Sequence, residues 1–161
     1  MQSEMDSLHK NSTWELVHLP DGKRALPCKW VTTNDGKPKY KARLVAKGFR
    51  QQQGVDFEEI FSLVVKMTTL CCVLALASRE DMELVQMDVK TTFLHGDLHE
   101  DIYMQQPEGF VEKGREHLVC KLKKSLYGLK QAPKEWYHKF HLFMLSQGYR
   151  RSDIDHSLYT K

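Results

Sequence analysis

Residues 85–94, VQMDVKTTFL, set one aspartate, Asp88, among apolar residues. Val85, Met87 and Val89 alternate with Leu84, Gln86 and Asp88, the period of a strand with one packed face. The alternation predicts a strand over residues 83–89 whose Val85, Met87 and Val89 face the core. Asp88 then points the other way, into a cleft. Burying an unpaired carboxylate is expensive, so Asp88 needs a partner or a purpose.

Composition sets the limits around that strand. A chain of 161 residues with 41% hydrophobic content can form one domain, or two small lobes sharing a core. Lys and Arg number 24 against 21 Asp and Glu, a net charge of +3 that says little about partners. Its distribution says more: Lys37, Lys39, Lys41, Arg43, Lys47 and Arg50 follow one another without an acid between them. Cys28, Cys71, Cys72 and Cys120 lack the paired spacing of a zinc or redox motif, which fits a reducing compartment. The N-terminus has no apolar signal core, and the longest apolar run, near residues 70–77, is too short to cross a bilayer. These features predict an intracellular, cytoplasmic protein that is neither secreted nor membrane-bound.

Along the chain the pattern alternates between helix and strand periods. A short helix ends near Asn11, and a strand follows over residues 14–19. Residues 28–49 read as a hairpin, with Asn34, Asp35 and Gly36 supplying the positive φ of a tight turn. Its second strand places Tyr40, Ala42, Leu44 and Ala46 on one face. Lys39, Lys41, Arg43 and Lys47 lie on the other, with Val45 as the apolar exception. That basic face suits phosphate contacts, and equally suits an edge strand guarded by lysines against aggregation. A helix capped by Thr68 or Thr69 follows, apolar nearly all round and so expected to be buried. Residues beyond Gly96 are polar and carry Pro107 and Gly109, which predicts a surface excursion. His95 and His99 have the spacing of a helical metal site, but Gly96 lies between them in a loop, so no zinc site is expected. Pro133 starts a last helix with Trp136, Phe140, Phe143 and Met144 toward the core, and Gly148 ends it.

Three blocks add a resemblance to these readings: KYKARLVAKGFRQQQGVDFEEIFSLVVKMTT, QMDVKTTFLHGDLHEDIYMQQPEGF and KSLYGLKQAPKEWYHKF. In this order they resemble the reverse transcriptase of copia-type LTR retrotransposons, over residues 14–161. The resemblance implies an α+β fold, the fingers and partial palm of a right-hand polymerase with a ferredoxin-like β-α-β palm. It divides the chain into fingers and the start of the palm (1–83), a palm strand bearing the first catalytic carboxylate (84–99), a fingers excursion and turn (100–128), and a palm helix with the segment after it (129–161).

The same resemblance implies the chemistry of an RNA-directed DNA polymerase, a nucleotidyltransferase that uses two magnesium ions about 3.5–4 Å apart. Asp88 and the backbone carbonyl of Val89 match metal ligands. The family's other carboxylates come from a YVDD hairpin, which this sequence does not contain, so the chain alone is expected not to polymerise. Phe93 matches the steric gate against a ribose 2′-hydroxyl. Lys41 and Arg43 match the strand that grips the incoming triphosphate. Tyr127, Gly128, Gln131, Ala132 and Pro133 match the loop and helix start that bracket nucleotide and template, and Lys39 and Lys47 extend a nucleic-acid-binding face. Implied partners are an RNA template, a DNA primer, deoxynucleoside triphosphates, and the remaining palm, thumb and RNase H of a Pol polyprotein. Leu63, Cys71 and Thr92 depart from the family's usual proline, arginine and alanine, and the hairpin after Trp30 is shortened. These departures suit a decayed or repurposed copy, or a binding module without catalysis.

Overall fold

The computed structural model describes residues 1–33 and 41–161. Helix α1 spans Gln2–Lys10 and turns Met5 and Leu8, one helical turn apart, into the core. Its end is closed by Thr13, whose hydroxyl donates to the Leu8 carbonyl at 2.8 Å. An orphan carbonyl of the last turn is thereby satisfied. The carbonyl of Thr13 accepts the Lys123 N–H at 2.8 Å, so one residue ties the helix end to the sheet.

Strands β1 (Trp14–Val17), β2 (Ala25–Leu26), β5 (Tyr103–Met104) and β6 (Val119–Leu122) form a four-stranded sheet in the order β1-β6-β5-β2. β6 runs antiparallel to β1, pairing Trp14 with Leu122, and antiparallel to β5, while β2 joins β5 in parallel. Strands β3 (Cys28–Thr33) and β4 (Lys41–Ala46) pair antiparallel from Cys28 opposite Ala46 to Thr33 opposite Lys41. That is the expected hairpin, and the expected turn at Asn34–Gly36 lies outside the described residues, as do Lys39 and Tyr40. Period two holds in β4: Leu44 and Ala46 are buried, and Lys41 and Arg43 are exposed. Leu8, Leu26, Leu44, Met104, Cys120 and Leu126 meet in the core between the hairpin, α1 and the sheet.

Helices α2 (Met67–Arg79) and α3 (Ala132–Ser146) complete the fold, with a short hairpin of β7 (Arg150–Arg151) and β8 (Tyr159–Thr160) after α3. As expected, a proline stands in the first turn of α3, where its missing N–H costs no helical bond, and the helix gives way before Gly148. The mixed α and β composition agrees with the expected class.

Five expectations are corrected. Residues 82–89 form no strand. Val85 and Met87 are 77% and 85% exposed, not packed, because alternation makes a strand only where another strand pairs with it, and no described strand lies alongside. Helix α2 forms, but only Ala77 is buried, because burial needs an opposing layer. Its N-cap is Lys66, not a threonine, and the Thr69 hydroxyl donates to Asp155 at 2.6 Å.

Residues 100–107 are no surface excursion: Ile102, Tyr103, Met104 and Pro107 are buried, and β5 is an inner strand. Three apolar residues suffice for a two-residue strand, and their polar neighbours hid them. In α3 the inward residues are Ala132 and Glu135, while Phe143 is 57% exposed and Trp136, Phe140 and Met144 are only half-buried. The helix meets the core with its first turn, and farther along its Phe140 and His141 pack against Tyr159 of β8.

Candidate functional site: a cationic cavity beside Asp88

β4 carries Lys41 and Arg43 on its exposed face. Opposite them the chain leaves α2, runs through residues 82–89 and turns at Thr91, which adopts φ +53°. A 3-10 turn, Thr92–His95, follows; its Leu94 is buried and fixes Phe93 beside it. Between these elements lies a cavity of about 800 Å³, walled by Lys41, Arg43, Asp88, Phe93 and Tyr127. Asp88 is exposed, takes part in no ion pair among the described residues, and lines the cavity together with Val89, which the alternation had set on the opposite face.

Two aromatic contacts order the wall. Phe93 and Tyr127 meet edge to face, with centroids 5.1 Å apart at 76°. The Arg43 guanidinium carbon sits 5.2 Å from the Tyr127 ring centroid, a cation–π distance. Tyr127 is placed by its backbone, since its carbonyl accepts the Ala46 N–H at 2.8 Å at the end of β4. Gly128 makes that approach possible: it adopts φ +89°, and a Cβ there would collide with the Ala46 carbonyl oxygen.

The residues expected to hold metal carry hard oxygens. Asp88 offers a carboxylate and Val89 a carbonyl, and the Thr92 hydroxyl donates to that carbonyl at 2.7 Å. Two such donors would fit part of one magnesium shell and are too few to hold a pair of ions. Among the described residues no three His, Cys, Asp or Glu side chains group for a metal.

The other expected residues sit elsewhere. Gln131 is 0% exposed and spends its amide inside the protein: its Oε1 accepts from Gln51 Nε2 at 3.0 Å, and its Nε2 donates to the Asp56 carbonyl at 3.0 Å. Gln51 Oε1 also accepts the Lys130 N–H at 2.8 Å, so this network fastens the start of α3 to the loop after β4. Ala132 is buried, Pro133 is exposed, and Lys47 is half-buried with its N–H on the Pro27 carbonyl.

The sequence reading missed the contribution of α1, whose Ser3 and Glu4, with Met1 just ahead of it, complete the cavity. Burial pushes the Glu4 carboxyl up from its ordinary pKa, against the pull of the Leu44 backbone and the Arg43 charge. A glutamate on a short helix carries no motif that could have flagged it.

The sequence model of a family described as "Reverse transcriptase (RNA-dependent DNA polymerase)" matches residues 11–161. Over 166 residues the chain is 60% identical to the Retrovirus-related Pol polyprotein from transposon TNT 1-94 of Nicotiana tabacum, covering 100% of the chain and 12% of that polyprotein. It is 44% identical to the Retrovirus-related Pol polyprotein from transposon RE1 of Arabidopsis thaliana, covering 99% of the chain and 11% of that protein. A more distant relative, the Transposon Ty1-BL Gag-Pol polyprotein of Saccharomyces cerevisiae, is 29% identical across 89% of the chain and 8% of its own length. No solved structure matches. The chain thus spans about 12% of the first of these relatives.

Proposed function

The chain belongs to the reverse transcriptase family, in its copia-type retrotransposon branch, and from that premise we propose that the cavity beside Asp88 receives a deoxynucleoside triphosphate for RNA-directed DNA synthesis. The observation that carries this reading is the convergence of Lys41, Arg43, Asp88, Phe93 and Tyr127 on one cavity from three separate parts of the chain.

Each residue has a physical task. Arg43 binds triphosphate oxygens through a planar fork of donors, held in place by its stacking on Tyr127. Lys41 adds a mobile point charge two residues away on the same face. Phe93, braced edge-on by Tyr127, presents an apolar surface to the sugar and excludes a 2′-hydroxyl. Asp88 and the Val89 carbonyl would hold magnesium, which would supply Lewis-acid neutralisation of phosphate charge. Gly128 sets Tyr127 against β4, and Gln131, Ala132 and Pro133 position the start of α3 beside the template path, with Lys39 and Lys47 on the nucleic-acid side.

On this reading residues 1–83 are fingers and the start of the palm, 84–99 the first catalytic palm segment, 100–128 the fingers excursion, and 129–161 a palm helix with its continuation. The exposed apolar residues of α2 and of residues 84–89 support further Pol segments as partners, because open patches of this kind mark interaction surfaces. RNA template and DNA primer are the remaining partners. The 161-residue chain does not extend primers by itself, since its metal donors are those of an incomplete shell.

Titration of the chain with a fluorescent deoxynucleoside triphosphate and magnesium tests the reading. Binding that weakens in Arg43→Gln and loses its magnesium dependence in Asp88→Asn supports it. Equal affinity in all three proteins overturns it.

A further inference from the structure

The family match begins at residue 11, and α1 lies ahead of it, yet this helix forms part of the cavity. Met5 and Leu8 are 3% and 0% exposed and fasten α1 beside β4. Anchored there, its first turn brings Glu4 to the wall shared by Lys41, Arg43 and Asp88. Glu4 is half-buried, and its Oε1 is shielded from solvent without a hydrogen-bond partner. Lys41 and Arg43 form no ion pair among the described residues, with Glu4 or with any other acid. The field of Arg43 nevertheless reaches the Glu4 carboxyl.

A carboxylate oxygen shielded from water without a hydrogen-bond partner is held at a cost, which the Leu44 backbone beside the Glu4 carboxyl offsets only in part. Lys41 and Arg43, two cations without an ion pair among the described residues, line the same cavity. We infer that Glu4 is a stand-in anion: it offsets the charge of Arg43 and Lys41 while the cavity is empty, and opposes the negative charge of an incoming polyphosphate. Glu4 is therefore a positioning residue that sets how tightly the cavity takes its ligand. The inference rests on the triphosphate reading of the cavity. A purely structural Glu4 would influence folding and leave anion affinity alone, which separates the two roles.

The experiment is a calorimetric titration of the 161-residue chain with inorganic tripolyphosphate at low salt, using wild type, Glu4→Gln, Glu4→Asp, Asp6→Asn and Arg43→Gln, with circular dichroism to confirm the fold of each. Glu4→Gln should tighten binding about tenfold, an advantage that shrinks as salt screens the charge. Glu4→Asp, which keeps the charge on a shorter arm, should fall between. Asp6→Asn removes the same charge from the exposed side of α1, where Asp6 accepts from Gln2, and should leave affinity unchanged. If Arg43→Gln weakens binding while Glu4→Gln matches wild type, the role given to Glu4 is wrong and the cavity reading stands. If Arg43→Gln binds as wild type does, both readings fall.

Discussion

The Arg43 guanidinium carbon stands 5.2 Å from the centre of the Tyr127 ring, and that ring meets Phe93 edge-on with centroids 5.1 Å apart. The cation proposed for phosphate and the ring proposed for the sugar are therefore held by one tyrosine. Tyr127→Leu keeps bulk and removes both aromatic terms, each worth about 0.5–1.5 kcal/mol. Triphosphate affinity should fall about threefold to tenfold. Tyr127→Phe keeps the ring and should bind like wild type in the same titration.

Gly128 predicts a larger effect on stability. Its φ of +89° and the Ala46 carbonyl in the path of any Cβ combine backbone strain with a steric clash. Gly128→Ala should cost about 3 kcal/mol or more. Gly22, at φ +74° with open space around it, provides the comparison: Gly22→Ala carries the backbone cost alone, about 1 kcal/mol. Urea unfolding of the two variants measures the difference, and equal midpoints would refute the collision.

Glu135, 7% exposed in the first turn of α3, gives a pH dependence. Burial first, and the nearby Glu100 carboxylate second, raise its pKa, while Lys134, His99 and His138 pull it down less strongly. The folded state thus holds the proton more tightly than the unfolded chain. Its stabilising contribution is complete below the unfolded value of 4.5 and is lost as pH rises through the higher folded value. Glu135→Gln removes this loss, so its Tm advantage over wild type should be larger at pH 7 than at pH 4.5. A constant difference across that range would contradict the assignment.

The four cysteines should separate by reactivity. Cys71 and Cys72 are exposed on α2, whereas burial pushes the Cys120 thiol up to about 12 and raises Cys28 as well. Thiolate is the nucleophile, so a disulfide reagent at pH 8 should label Cys71 and Cys72 first. Cys120 should react only on unfolding. Early labelling of Cys120, read by peptide mass, would mean that the sheet opens.

Local elements were legible where the chain supplies its own partner. The β3–β4 hairpin, the proline at the start of α3 and the stop before Gly148 depend on neighbours in sequence, and they stand where the pattern put them. Residues 82–89 and the face of α2 failed because a period describes what a segment offers and not what covers it. The buried Gln51–Gln131 pair escaped for a related reason: polar side chains 80 apart in sequence leave no local trace of their contact. The cavity lies between these cases. Lys41, Arg43, Asp88, Phe93 and Tyr127 were legible as a set through resemblance, whereas Glu4 became visible only when α1 packed on β4.

The unpaired stretch at residues 82–89 also bears on the lifetime of the chain. Proteases cut at exposed segments without secondary structure, and this one leaves Leu84, Val85 and Met87 exposed by 67%, 77% and 85%. A single nick there would leave the sheet intact and detach Asp88 from α2. The residue proposed to hold magnesium thus sits on a segment open to cleavage, and pairing that segment with another strand would shield it from both attack and water.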